Sequence, residues 1–295
     1  MQTTTPTARW WPDFLLLAAL WGASFLFMRV AGQAFGALAM AEVRVAVAAL
    51  LLWPIMVWQG HGGAMRAHWR AALLIGLLNS ALPFALYGFA VLHISTGLAA
   101  ILNATVPMFG ALVAWAWLGE RPGLQRLLGL AIGFAGVVGL TLSRPGSDGG
   151  QASLWPVLAC LGATLSYAVA ASLTRRYLVA VPPLVSATGS QLGAALGLLV
   201  PALLSLPPVM PGPAAWAAVV AVGVLCTGLA YILYFRLIER AGPARTLTVT
   251  YLIPVFALLY GTVLLGEVIL PSMLVSGAVI LLGTALASGL LVRRR

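Results

Sequence analysis

Pro107-Met108-Phe109 and Leu118-Gly119-Glu120 recur as Pro254-Val255-Phe256 and Leu265-Gly266-Glu267, both at an offset of 147 residues, half the length of the chain. Working outward, the register holds without a gap. Leu86-Tyr87 falls on Leu233-Tyr234, Gly76 on Gly223, Trp69 on Trp216, Pro54 on Pro201 and Arg29 on Arg176. Leucine matches would mean little in so apolar a chain, but Trp, Pro, Tyr, Arg and Glu matches in one register are hard to obtain by chance. The sequence reads as two copies of one unit, 1–142 and 153–295, joined by the hydrophilic stretch 143–152.

Composition names the solvent. With 62% hydrophobic and 7% charged residues over 295 positions, no water-soluble globule fits. Apolar runs of about 18–24 residues recur along the whole chain, each able to cross a ~30 Å hydrocarbon core as a helix. Breaks at Gly, Pro and charged clusters give spans at 14–31, 37–58, 69–90, 94–118, 124–142, 153–174, 184–206, 214–236, 244–265 and 271–291. The expected fold is an all-α membrane protein of ten transmembrane helices in two five-helix repeats. The first span, flanked by Trp10-Trp11-Pro12, reads as a retained helix rather than a cleaved signal.

Every basic residue is Arg, and the net charge of +10 reads as a topology signal rather than a nucleic-acid surface. With both termini in the cytoplasm, Arg9, 66, 70, 121, 126, 175, 176, 236, 240, 245 and 293–295 lie inside. Arg29, Arg44 and Arg144 lie on or toward the outside. Five helices per repeat is an odd number, so the second copy enters the membrane upside down, and the repeat is inverted. A bacterial inner-membrane location with cytoplasmic termini follows as the expectation.

Three prolines within spans each remove a helical hydrogen bond four residues back. Pro83 would free the carbonyl of Asn79, Pro107 that of Asn103 and Pro254 that of Thr250. Either the side chains of these residues seal the kinks, or Asn79, Asn103 and Thr250 form polar steps on a cavity wall. Trp21, Tyr167, Tyr231 and Tyr251 carry polar handles deep within spans and, with Tyr87 nearer the outer mouth, complete the candidate cavity. Arg29, Glu42 and Arg44 form either an ion pair on the outer rim or a gate or carboxylate binder, and Tyr87 and Tyr234 could serve as paired gate residues. Glu120 and Glu267 each precede a helix start and read as structural charges on the helix dipole. Glycines 129, 133, 136 and 139 suit close helix packing within the molecule, and a monomer is expected. Cys160 and Cys226 lie inside spans, and the three His lack metal spacing. No cofactor or metal is expected, and no catalytic motif is present.

Trp21-Gly22-Ala23-Ser24-Phe25, and Asn103-Ala104-Thr105-Val106-Pro107 leading to Leu118-Gly119-Glu120-Arg121-Pro122, resemble the EamA family of the drug/metabolite transporter superfamily. Within it, the chain is similar to bacterial amino-acid exporters of the YddG type. The resemblance covers nearly the whole chain. It implies export of small metabolites through a central cavity lined by helices 1, 3, 4, 6, 8 and 9. Pro83 and Asn103 are replaced by Ala230 and Thr250 in the second copy, so the cavity is expected to be chemically asymmetric.

The leading expectation is a secondary transporter in the lipid bilayer that exports neutral or aromatic amino acids by alternating access. Its expected cavity is aromatic and weakly polar, without fixed charge at mid-depth. A sugar-phosphate or nucleotide-sugar exchanger, or a multidrug or metabolite exporter of the same superfamily, is the alternative within transport. An intramembrane enzyme or receptor is the alternative outside it. Topology is testable directly. Single cysteines at Gly146 and Gly63 are expected to react with impermeant thiol reagents from the outside and the inside respectively. Labelling of both from one side would overturn the inverted arrangement.

Overall fold

The computed structural model describes residues 10–119, 122–142 and 153–289, and these are helix and short connections, with no strand. Eight helices are long and apolar enough to cross a membrane, and α13 (Pro271–Ala287) is a shorter apolar helix. The linker 143–152, Glu120 and the Arg residues at 9, 121, 144 and 293–295 lie outside the described residues.

The first helical element, α1 (Trp11–Trp58), has 48 residues. A straight helix of that length would run about 72 Å, more than twice the hydrocarbon core. Gly36, with φ 75° and ψ 169°, interrupts it. The Arg44 guanidinium reaches the Met28 sulfur at 3.1 Å, although sixteen residues along a straight helix span about 24 Å. The chain therefore doubles back at Gly36, where the positive φ favours the residue without a Cβ.

Contacts across the molecule come in exchanged pairs. In α2 (Gly62–Gly76), a Cβ on Gly76 would lie 2.3 Å from the carbonyl oxygen of Ser190 in α8 (Pro183–Leu204). In α9 (Pro213–Gly223), a Cβ on its counterpart Gly223 would lie 2.8 Å from Val47 and 2.9 Å from the Arg44 oxygen. α6 (Leu124–Leu142) and α13 meet backbone to backbone, where a Cβ on Gly283 would sit 2.3 Å from the Gly133 nitrogen. The small residues of α6 thus serve packing within the molecule.

Each half carries a π-helical turn at the same place. Leu77–Ala81 separates α2 from α3 (Leu82–His93), and Val224–Leu229 separates α9 from α10 (Ala230–Ala241). A π turn bonds five residues back rather than four. In the second half the Ala230 N–H donates to the Leu225 oxygen. Pro83, the counterpart of Ala230, has no N–H, and the hydroxyl of Ser166 on α7 (Trp155–Tyr177) donates to the Leu78 oxygen instead, at 2.7 Å. This corrects the expectation that Pro83 frees Asn79. The carbonyl deprived of its N–H is one residue earlier, because the turn is π rather than α.

The fourth span in each half is interrupted midway. α4 (Thr96–Asn103) gives way to α5 (Val106–Leu118) around residues 104–105. α11 (Pro243–Leu247) passes through a 3-10 turn, Thr248–Tyr251, into α12 (Ile253–Leu265). Pro107 and Pro254 stand in the first turn of α5 and α12, where a missing N–H costs nothing; they start helices rather than kink them. Glu267 caps a helix of the opposite half: its carboxylate accepts from the Thr96 N–H at 2.9 and 3.0 Å and from the Thr96 hydroxyl at 2.8 Å.

At Gly283 the α6–α13 seam admits no side chain. Gly283→Ala is expected to lower unfolding stability in detergent by about 1–3 kcal/mol through backbone displacement. Gly110→Ala, where a Cβ meets nothing within 4 Å, should be neutral or stabilising by up to about 1 kcal/mol.

Candidate functional site

A cavity of about 300 Å³ lies between the halves, walled by α1, α3, α7, α10 and the interrupted spans. Trp21, Asn79, Tyr87, Asn103, Tyr167, Tyr231 and Thr250 all line it, together with Arg44 and Tyr234. Ser24, Phe25, Met28, Phe84, Cys226 and Thr227 complete much of the wall. Tyr251 does not reach it; its hydroxyl pairs with the Ser288 hydroxyl at 3.2 Å, bracing the end of α13. Trp115 and Trp117, about half exposed, face outward.

Both π turns open onto this space. Asn79, in the first, donates to Tyr231 OH at 3.0 Å and to Ser190 Oγ at 3.1 Å, so its side chain links the halves rather than sealing a kink. Asn103 Oδ1 accepts from Tyr87 OH at 2.9 Å. Its amide NH2, with no protein partner among the described residues, is left to the cavity. The Thr250 hydroxyl folds back onto the Leu247 oxygen at 2.8 Å, so at this position the side chain closes its own turn. Aromatic rings pack around the polar groups. Tyr87 stacks on Tyr167 with centroids 6.4 Å apart and meets Phe25 edge-on at 5.5 Å, and Trp21 contacts Tyr234 at 5.6 Å.

Arg44 overturns two expectations. It is not on an outer rim, and it pairs with neither Glu42 nor any other carboxylate among the described residues. It is 4% exposed and projects into the cavity, because eight residues beyond the turn at Gly36 it is already about 12 Å down the helix. Its Nε donates to Thr227 Oγ1 at 3.0 Å and its Nη1 meets the Met28 sulfur. The guanidinium carbon lies 3.5 Å from the Phe84 ring centroid, a cation–π contact. Among the described residues the cavity therefore carries one fixed positive charge, where the sequence reading expects none.

That arrangement has a neutral counterpart. Arg44 and Thr227 correspond, at the offset of 147, to Gln191 and Ser80. Gln191 Nε2 donates to Ser80 Oγ at 2.9 Å, as Arg44 donates to Thr227. Each half thus sends one side chain onto a hydroxyl in the other half's π turn. The pairing was legible in the repeat register, but sequence reading placed Arg44 too shallow and passed over Gln191.

The remaining candidates lie elsewhere. Arg29 donates to the carbonyls of Val91 and Ile94, the latter at 3.0 Å, capping the end of α3. Glu42 lies outside the central cavity with Oε2 buried and unpartnered. Sequence reading also missed Asp13, whose carboxylate accepts from Arg236 Nε at 2.9 Å and Arg240 Nη1 at 3.0 Å, tying the start of α1 to α10. No spacing signal joins residues so distant in the chain.

A model of the EamA-like transporter family matches residues 10–142 and again 154–289. An inner-membrane transporter of Escherichia coli K12, YedA, is 28% identical over 85% of this chain and 81% of its own length. A probable terminal-alkyne amino-acid exporter of Streptantibioticus cattleyicolor is 28% identical over 95% of this chain and 94% of its own. A solved crystal structure superposes with a TM-score of 0.67 at 23% identity, covering 95% of this chain and 96% of the other, and shares the fold.

The two exchanged hydrogen bonds should differ in strength. Thr227→Val removes the acceptor of a charged donor and is expected to cost about 1.5–3 kcal/mol in unfolding stability. Gln191→Met, which removes the neutral donor and leaves Ser80 bonded to Ser190, should cost about 0.5–1.5 kcal/mol. Chemical unfolding in detergent micelles measures both.

Proposed function

We propose that this chain, which belongs to the EamA-like transporter family, is a ten-span secondary transporter that exports zwitterionic amino acids from the bacterial cytoplasm. The reversal at Gly36 makes two spans of α1, and α13 supplies the last, which with the remaining long helices gives ten. The exchanged contacts, Gly76 with Ser190 and Gly223 with Arg44 and Val47, support two oppositely oriented five-helix repeats. The Arg asymmetry supports cytoplasmic termini. Inverted halves around a central cavity suit alternating access, in which each half adopts in turn the conformation of the other.

The carrying observation is Arg44, a buried guanidinium on the cavity wall with no carboxylate beside it among the described residues. A guanidinium and a carboxylate match as a two-pronged hydrogen-bonded pair. The substrate carboxylate docks on Arg44 and restores neutrality to the site. The ammonium is held by hydroxyl and amide oxygens of Tyr231, Tyr167 and Asn103, and the side chain lies among Trp21, Phe25 and Tyr87. Neutral amino acids with apolar or aromatic side chains fit this wall best. A sugar diphosphate would bring more negative charge than one guanidinium offsets, which weighs against the exchanger alternative. The named amino-acid exporter among the relatives points the same way.

Proteoliposomes test the reading without ATP. Wild-type protein should move phenylalanine and leucine and move their decarboxylated amines far less. Arg44→Gln should raise the amino-acid concentration for half-maximal flux by at least about tenfold and abolish discrimination against the amines. Flux of a phosphorylated sugar with none of any amino acid would sink the proposal.

A further inference from the structure

Glu42 stands two residues from Arg44 on the second arm of α1, and side chains two apart on a helix point to different faces. Arg44 enters the central cavity, whereas Glu42 lines a separate, open-sided groove of about 360 Å³, whose Leu203 and Leu206 are more than half exposed. Phe35, Leu199, Leu203, Met210 and Trp216 form much of its wall. Phe35 and Trp216 meet edge to face with centroids 4.9 Å apart. The mouth lies beside the connection 205–212, where Met210 is 79% exposed.

The wall of this space is apolar apart from the carboxylate. Glu42 Oε2 is buried and accepts no hydrogen bond, and no ion pair reaches Glu42 among the described residues. An ionised carboxylate in such surroundings is disfavoured unless it takes up a proton or a cation joins it. Two aromatic rings beside it add faces that attract a cation and bury an apolar body.

We propose that this second cavity binds organic cations made of one ammonium head and a compact apolar body. The ammonium pairs with Glu42, and the body lies against Phe35, Trp216 and the α8 leucines. The volume suits a single ring or a short alkyl chain. On the proposed topology the mouth is on the external side, but the site itself does not depend on what the central cavity carries.

Equilibrium binding of radiolabelled phenethylammonium to the full-length protein in lipid nanodiscs tests it. Saturable binding is expected, weakened at least tenfold by Glu42→Gln. Leu203→Trp, which fills the cavity and keeps the carboxylate, should weaken it as much and does not rely on the folding of the first variant. Excess phenethyl alcohol, the same body without the charge, should compete poorly. Excess phenylalanine, a candidate for the central cavity, should not displace the amine. Absence of saturable binding, or binding untouched by Glu42→Gln in a folded protein or by Leu203→Trp, would overturn the proposal. So would displacement by phenylalanine, which would assign the amine to the central cavity. Failure of amino-acid flux, by contrast, bears on the central site alone.

Discussion

A guanidinium buried in an apolar bundle has to be held from several directions at once. Arg44 is held by Thr227 in the π turn after α9, by Met28 across the reversal at Gly36, and by the Phe84 ring on α3. One side chain therefore fixes the pairing of the two arms of α1 and sets both against elements of each half. Gln191 occupies the corresponding place with Ser80, while Ser190 and Asn79 extend the polar contact to Tyr231. Charge on one side and neutrality on the other make the cavity polar in direction although its frame is duplicated.

Backbone irregularity collects around the same space. In hydrocarbon an unpaired N–H or carbonyl is costly, so departures from the α-helix survive only where protein groups answer them or a cavity receives them. Two π turns and two interrupted spans meet this condition. Leu78 finds its donor in Ser166, Leu225 finds it in Ala230, and the break after Asn103 leaves an amide turned to the cavity. The glycines at 76 and 223 matter for the same reason, since they let whole helices approach closely enough to enclose the space.

The repeat register and apolar runs made most of the spans readable, and seven of the eight residues named as cavity lining line one cavity. What escaped did so for specific reasons. Nearness to a helix start suggests a shallow place for Arg44, although a rise of 1.5 Å per residue already puts it well inside. The rule that points from Pro83 to Asn79 holds for an α turn and fails in a π turn. Tyr251 adjoins Thr250 but points another way, because neighbouring residues on a helical turn do not share a face. The Asp13–Arg236 pair and the Glu267 cap join residues far apart in sequence, which composition and periodicity do not register.

The seam between α6 and α13 sets an order of events in time. Gly133 and Gly136 meet Gly283 and Ile280, and these contacts map onto one another when the halves are exchanged. The partner of α6 is the last helical element described, some 130 residues later in synthesis, on the order of ten seconds at ribosomal speed. Throughout that interval Gly129 and Gly136 lack their α13 partners, and lipid chains suit the shallow groove left there because they fill it. Closure then exchanges lipid for backbone contact. The elements up to α6 thus enter the bilayer before α13 exists, and α13 then ties them to the second half of the chain.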